Sequence, residues 1–78
     1  MIKVKIYTTP SCTWCKRTKD FLKEHNVEYE DINVASDARA RQEMVQKSGQ
    51  LGVPVTIISN KVIVGFDESA LKSALGIK

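Results

Sequence analysis

Residues 1–15 read MIKVKIYTTPSCTWC. Apolar side chains alternate with others over positions 2–7, with Ile2, Val4 and Ile6 set against Lys3, Lys5 and Tyr7. A period of two is typical of a β-strand, and the predicted strand ends at Thr8-Thr9-Pro10. The pair Cys12 and Cys15 therefore lies where a strand gives way to the next element.

A first helix is predicted from about Cys12 to His25. Side chains recur at helical spacing on one face, namely Trp14, Thr18, Phe21, Leu22 and His25. Asn26 follows, and an asparagine can close a helix in the left-handed conformation.

A second strand is predicted over Val27 to Val34, which is rich in β-branched and aromatic residues. Glu30-Asp31 interrupts its alternation and leaves open which face points inward. A second helix follows, which Ser36 or Asp37 can cap and which Gly49 ends. One side of this helix carries Met44, Val45 and Ser48.

Two short apolar runs come next, Pro54 to Ile58 and Lys61 to Gly65. Because only Ser59-Asn60 separates them, they predict an antiparallel hairpin. Asp67 can cap a last helix that ends at Gly76. Its predicted apolar stripe consists of Ala70, Leu71, Ala74 and Leu75.

The elements follow the order βαβαββα, which predicts an α/β fold with a central four-stranded mixed sheet and three helices. The opening strand, helix and strand imply a right-handed parallel crossover, and the hairpin adds antiparallel partners to the same sheet. The 78 residues hold one compact domain with a modest core.

Composition excludes several classes of protein. With 42% hydrophobic and 27% charged residues, the chain resembles an ordinary soluble domain. Charges interleave with the apolar residues near the N-terminus, so a signal-peptide core is not predicted and we expect a cytoplasmic protein. No run approaches the ~18 apolar residues of a membrane span. The net charge of +3 is scattered and few aromatic residues accompany it, so nucleic-acid binding is not expected.

The cysteine pair carries the predicted chemistry. At this spacing on a helix both sulfurs lie on one face, about one turn apart, within the reach of a disulfide. Cys12 lies near the free N–H groups and the positive dipole end of the predicted helix, which favours its thiolate. Cys12 is therefore the predicted nucleophile, and Cys15, one turn deeper, is predicted to resolve the mixed disulfide.

Other uses of such a pair fit less well. A structural zinc ion needs four ligands, which one Cys-x-x-Cys and the lone His25 do not supply. A permanent disulfide closing so short a loop adds little stability, and cytosolic thiols are kept reduced. We therefore expect redox chemistry without a bound metal or cofactor.

Four blocks of sequence carry a family resemblance, namely Ile6-Tyr7-Thr8, Cys12 to Cys15, Gly52-Val53-Pro54-Val55 and Val64-Gly65-Phe66-Asp67. Over essentially the whole chain they resemble the glutaredoxin and thioredoxin superfamily, especially the small glutaredoxin-like redoxins that include the ribonucleotide-reductase-associated type. The resemblance implies a thioredoxin fold in a single domain over residues 1–78, and we expect a monomer.

The resemblance also implies a substrate-binding site. In it Pro54 is cis and faces the cysteines, while the backbone of Val53 pairs with a bound peptide or glutathione. Asp67 binds the α-amino group of a glutathione-like ligand, although a helix cap would also explain it. Trp14 is expected to shield the disulfide or contact a partner. The full predicted set is Tyr7, Trp14, Val53, Pro54, Gly65, Phe66 and Asp67.

Glutathione-using members of this family differ from the sequence at three places. They have Pro-Tyr between the cysteines, a basic residue three positions before the first, and Gly-Gly ahead of the last helix. Here these places hold Thr13-Trp14, Thr9 and Gly65-Phe66. The Gly-Phe pair is similar to redoxins fed by thioredoxin reductase, so the expected donor is such an enzyme or, less favoured by the residues, glutathione.

The resulting hypothesis is a dithiol thiol–disulfide oxidoreductase, an electron carrier that reduces protein disulfides or glutathione mixed disulfides. Its expected partners are disulfide-containing proteins and a reductase or glutathione. Two alternatives stay open. One is a glutathione-dependent iron–sulfur cluster carrier that bridges two chains, and the other is a binding module that uses Val53-Pro54 without turnover.

Overall fold

The computed structural model describes residues 4–50 and 52–76. Its strands are β1 (Val4–Thr8), β2 (Glu30–Asn33), β3 (Val55–Ile58) and β4 (Lys61–Val64), and its helices are α1 (Thr13–Glu24), α2 (Ala38–Ser48) and α3 (Glu68–Leu75). The sheet order is β2-β1-β3-β4, with β1 parallel to β2 and the other two pairings antiparallel. The predicted fold class and element order are confirmed. Ile2 and Lys3, which the sequence placed in the first strand, lie outside the described residues.

Both faces of the two central strands are buried, and each face has its own core. The α1/α3 core contains Val4, Phe21, Leu22, Ile58, Ile63 and Leu71. The α2 core, on the other face, contains Tyr7, Val34, Met44, Val55 and Ile57. Adjacent residues of β3 contribute to opposite cores because successive side chains of a strand point to opposite faces. The sheet is therefore a middle layer covered by helices on both sides.

The helix ends follow the capping residues that the sequence offered. Asp37 accepts a hydrogen bond from the Ala40 N–H at 3.0 Å and is thus the cap of α2, whereas the Ser36 hydroxyl donates to the Asn33 carbonyl at 3.4 Å. Three residues after helices adopt the left-handed conformation, namely Asn26 (φ 57°), Gly49 (φ 75°) and Gly76 (φ 74°). Capping satisfies backbone groups that a helix end would leave without partners.

The second strand is shorter than the sequence predicted. It begins at Glu30 rather than at Val27. Val27 and Tyr29 are half-buried and pack against the α1/α3 core ahead of the strand. As the edge strand, β2 has β1 as its sheet neighbour and exposes most of its side chains, so its alternation carries a weak signal.

Among the described residues, no helix is long and apolar enough to cross a membrane.

Candidate active site

Cys12 is the N-cap residue of α1. Its backbone is extended, at φ −89° and ψ 116°, and its sulfur accepts a hydrogen bond from the Cys15 N–H at 3.2 Å. The Cys12 side chain is half-exposed, and its sulfur lies 3.9 Å from the carbonyl oxygen of Val53. The Cys12 sulfur is therefore open to a substrate and satisfies one of the free N–H groups at the helix start.

Cys15 lies one turn further along α1 and is fully buried. Burial and the contact of its thiol with Cys12 raise the pKa of Cys15 to about 12, and the Lys19 ammonium lowers it only in part. Both cysteines are free thiols in this structure. The two sulfurs thus differ in their access to solvent and in their polar neighbours.

A polar link under the first turns of α1 was not predicted. The Thr8 hydroxyl donates to Asp31 at 2.6 Å, and the Lys19 ammonium donates to the same carboxylate at 3.0 Å. Burial alone would raise the pKa of Asp31, but these two hydrogen bonds outweigh it and lower that pKa. The link joins β1, β2 and α1. It fixes the Lys19 ammonium beside Asp31, one turn beyond Cys15 on α1.

The Val53–Pro54 peptide bond is cis, as the resemblance implied. Pro54 is fully buried and Val53 is half-buried. The Pro54 carbonyl accepts a hydrogen bond from the Gly65 N–H at 2.8 Å. Gly65 has φ 74°, a conformation that glycine adopts without a steric cost. This bond fixes the proline loop against the turn between β4 and α3.

A groove of about 230 Å³ opens beside the cysteines and is called the cysteine groove below. It is lined by Trp14, Val53, Pro54, Gly65 and Phe66, five of the predicted substrate-binding residues. The Trp14 side chain is 56% exposed and stacks on Phe66, with ring centroids 6.2 Å apart. The Trp14 ring therefore lies at the surface beside the groove and is not packed in either core.

Two predicted substrate-binding residues do not line the cysteine groove. Tyr7 is fully buried in the α2 core, and its hydroxyl donates to Glu43. Burial and this carboxylate raise its pKa above the usual range. The structure therefore gives the Tyr7 side chain a packing role and no surface for a substrate. Asp67 is exposed and caps α3, where it accepts a hydrogen bond from the Ala70 N–H at 3.1 Å.

The described residues hold no group of three or more histidine, cysteine, aspartate or glutamate side chains able to bind a metal ion together. The polar partners of the cysteines are backbone groups instead, since the Cys12 sulfur meets the Cys15 N–H and the Val53 carbonyl. The arrangement suits sulfur chemistry next to backbone polar groups.

Comparison with known proteins gives a consistent result. The glutaredoxin family model matches residues 4–63. A glutaredoxin-like 8.6 kDa protein of the rubredoxin operon of Clostridium pasteurianum is 48% identical over 68 residues, which cover 87% of this chain and 91% of that protein.

Two solved structures share the fold. Glutaredoxin from Archaeoglobus fulgidus superposes with a TM-score of 0.88 at 30% identity, covering 96% of this chain and 87% of that one. NrdH-redoxin from Escherichia coli, a glutaredoxin-like protein described as having a thioredoxin-like activity profile, gives 0.81 at 27% identity and covers 91% and 92%. This chain belongs to the glutaredoxin family, as a redox protein with the cysteine pair Cys12 and Cys15.

Proposed function

We propose that this protein is a dithiol thiol–disulfide oxidoreductase that reduces protein disulfides or glutathione mixed disulfides. The observation that carries the proposal is the unequal pair at the start of α1. Cys12 is half-exposed and accepts an N–H hydrogen bond, whereas Cys15 is fully buried and holds its proton. Such an asymmetry assigns attack to the first sulfur and resolution to the second.

The cycle begins when the Cys12 thiolate attacks one sulfur of a substrate disulfide. A bond forms between Cys12 and that sulfur, the substrate disulfide breaks, and the other substrate sulfur leaves as a thiolate. That thiolate can take up the proton of Cys15. The Cys15 thiolate then attacks Cys12, releases the second substrate thiol and leaves an oxidised Cys12–Cys15 pair, so two electrons have passed to the substrate. A dithiol reductase or glutathione must supply two electrons to reset the pair.

We place this cycle in the cytoplasm, because a pair that must be reset needs a reducing compartment. For the donor, we favour a thioredoxin-reductase-type enzyme over glutathione. Glutathione carries two carboxylates, and a site that selects it should offer a positioned cation. The residues that line the cysteine groove carry no charge, and the nearby Arg17 guanidinium lies over the Trp14 ring and lines a neighbouring groove between α1 and α3. Arg39 and Arg41 both lie on α2, and Arg41 lines a separate depression there.

Phe66 supports the same choice. Its ring stacks on Trp14 and fills the place where a second glycine would let a small ligand approach the backbone. The similarity to NrdH-redoxin, with its thioredoxin-like activity profile, points in the same direction. These features also speak against the iron–sulfur carrier, since that function needs bound glutathione.

The test compares two donors on the oxidised protein. Reduction of the Cys12–Cys15 disulfide is followed through NADPH consumption, once with thioredoxin reductase and once with glutathione and glutathione reductase. We expect the first system to be at least about ten-fold faster, because an uncharged groove gives glutathione no ion pair. Faster reduction by glutathione would overturn the choice of donor.

Thr9→Lys tests the cause of this preference. A lysine three positions before Cys12 should raise the rate with glutathione by about three-fold, the order expected of one partly exposed ion pair. Thr13→Lys is the control, because Thr13 is exposed and, like the half-buried Thr9, close to Cys12, but it follows Cys12 in the chain. An equal gain in both variants would indicate a general charge effect, and no gain in Thr9→Lys would remove the missing cation as the explanation.

A further inference from the structure

A second groove, of about 320 Å³, lies between α1 and the start of α3 and is called the acidic groove below. Its lining residues are Arg17, Asp20, Phe21, Glu24, Phe66 and Glu68. Phe66 lines the cysteine groove as well. The two grooves therefore share a wall, and a chain segment bound at the cysteines can continue into the second groove.

A row of aromatic rings connects the two grooves. The ring centroid of Phe66 lies 6.2 Å from Trp14 on one side and 6.1 Å from Phe21 on the other. The row continues to His25, whose ring lies 4.5 Å from Phe21. Arg17 already places its guanidinium over the Trp14 ring, 5.6 Å from the centroid. Phe21 itself is buried, at 6% exposure, so the rings of this row that a guanidinium can reach are the half-buried Phe66 and the exposed Trp14.

The charge of the acidic groove is opposite to that of the whole chain. Three carboxylates and one guanidinium line it, while the chain has a net charge of +3. Glu68 pairs with Lys72 at 3.4 Å, but Asp20 and Glu24 form no ion pair within the described residues. They lie four positions apart on α1, and like charges at this spacing destabilise a helix. A cation between them would relieve this repulsion.

We infer that the acidic groove binds an arginine side chain of the protein substrate, located a few residues from the disulfide that Cys12 attacks. This inference rests on the proposed function and adds a sequence preference to it. Arginine fits better than lysine, because a planar guanidinium can stack on the half-buried Phe66 ring and can meet carboxylates with two parallel hydrogen bonds. The path from Trp14 through Phe66 to Phe21, two steps of about 6 Å, is as long as about three or four residues of extended peptide.

The test uses synthetic peptides that contain one intramolecular disulfide and one arginine placed three, four or five residues from the cysteine. Each has a partner in which citrulline, which has the same shape and no charge, replaces the arginine. We expect kcat/KM to be about ten-fold higher for the best arginine peptide at low ionic strength, and the advantage to fall to about two-fold in 0.5 M salt. Equal rates for both peptides at every position would overturn the inference.

Variants locate the effect. Asp20→Asn combined with Glu24→Gln should reduce the preference for arginine about five-fold and leave the citrulline peptides unchanged. The matched control is Glu28→Gln combined with Glu30→Gln, which removes the same charge from exposed residues that line neither groove. A similar loss in the control would mean that the preference is only a long-range charge effect, and would also overturn the inference.

Two further measurements separate this inference from the proposed function. Reduction of a small uncharged disulfide reports on the cysteines alone. If the unmodified protein failed to reduce such a compound, the oxidoreductase proposal would be contradicted. Sedimentation of the unmodified protein and of the Asp20→Asn, Glu24→Gln variant tests a second copy as the occupant. A dimer that this variant abolishes would assign the groove to self-association and overturn the arginine subsite.

Discussion

The N-cap position of α1 and the position one turn inside the helix present two different environments to the same side chain. Cys12 is half-exposed at the helix N-terminus, next to a backbone N–H and a carbonyl group. Cys15 is fully buried, and its burial raises its pKa to about 12. The two thiols are chemically identical in an unfolded chain, so the fold alone makes them unequal.

This difference follows from the geometry of a helix that starts at the rim of a sheet. The N-cap residue lies before the first turn and meets solvent, whereas a residue three positions later lies on the face of the helix that packs against the sheet. Thr18, Phe21 and Leu22 continue that buried face of α1. Variants at the two positions and at their neighbours on α1 can test this contrast.

Removing one sulfur at a time should give opposite results. Cys12→Ser should lower disulfide-reducing activity by at least about a thousand-fold, because a serine hydroxyl is not ionised at neutral pH and does not replace the nucleophile. Cys15→Ser should instead trap the substrate on Cys12 as a mixed disulfide. Mass spectrometry of the variant after incubation with a disulfide peptide measures the adduct.

A control keeps the interpretation clear. Thr18 is as buried as Cys15 and lies on the same face of α1, so Thr18→Ser shows what a small packing change does without removing a thiol. It should turn over substrate and trap none. An adduct mapped to Cys15 in the Cys12→Ser protein would reverse the two roles.

The next effect concerns pH. With the pKa of Cys15 raised, its thiolate is scarce at neutral pH and becomes about ten-fold more abundant with each added pH unit. The step in which Cys15 resolves the mixed disulfide should therefore accelerate about ten-fold per unit between about pH 6 and 9. An aromatic disulfide reagent added in equal amount reports this step as the release of its second coloured thiolate.

Lys19 offers a variant for the same measurement. Its ammonium lowers the pKa of Cys15, so Lys19→Gln should raise that pKa further and slow resolution about three-fold at pH 7. Lys23→Gln, one turn further along α1 on an exposed residue, is the control and should have little effect. If the resolution rate stopped rising with pH before about pH 8 was reached, this would contradict a strongly raised pKa of Cys15.

Much of this contrast could be read from the sequence. The break at Pro10 and the spacing of the two cysteines placed one sulfur at a helix start and the other a turn inside. Asp37, Gly49 and Asp67 marked helix ends correctly, because capping depends on the residue itself and its immediate neighbours. Local patterns predict such features well.

Other features depend on residues that are distant in the chain. The resemblance placed Tyr7 in the substrate-binding set, but α2 covers its face of the sheet and the Tyr7 hydroxyl donates to Glu43. The link between Thr8 and Asp31 spans 23 positions. The acidic groove requires Glu68 to approach α1. No local spacing signals these contacts, since they arise only when helices pack on the sheet.

The smallest expected effect is optical and concerns Trp14, the one tryptophan of the chain, between the two positions compared here. Its exposed ring lines the cysteine groove, where the Cys12 sulfur lies 3.9 Å from the Val53 carbonyl. Oxidation replaces the hydrogen-bonded thiol of Cys12 with a disulfide to Cys15, which changes the charge and position of sulfur next to the indole. The emission of Trp14 should therefore differ between the oxidised and reduced protein.

Cys12→Ser, which cannot form the disulfide, should show no response to the same reductant. Phe66→Leu should keep the response while it shifts the spectrum of both states, because Phe66 stacks on the indole but takes no part in the disulfide. Superimposable spectra of the two redox states in the unmodified protein would show that the ring does not sense the sulfurs.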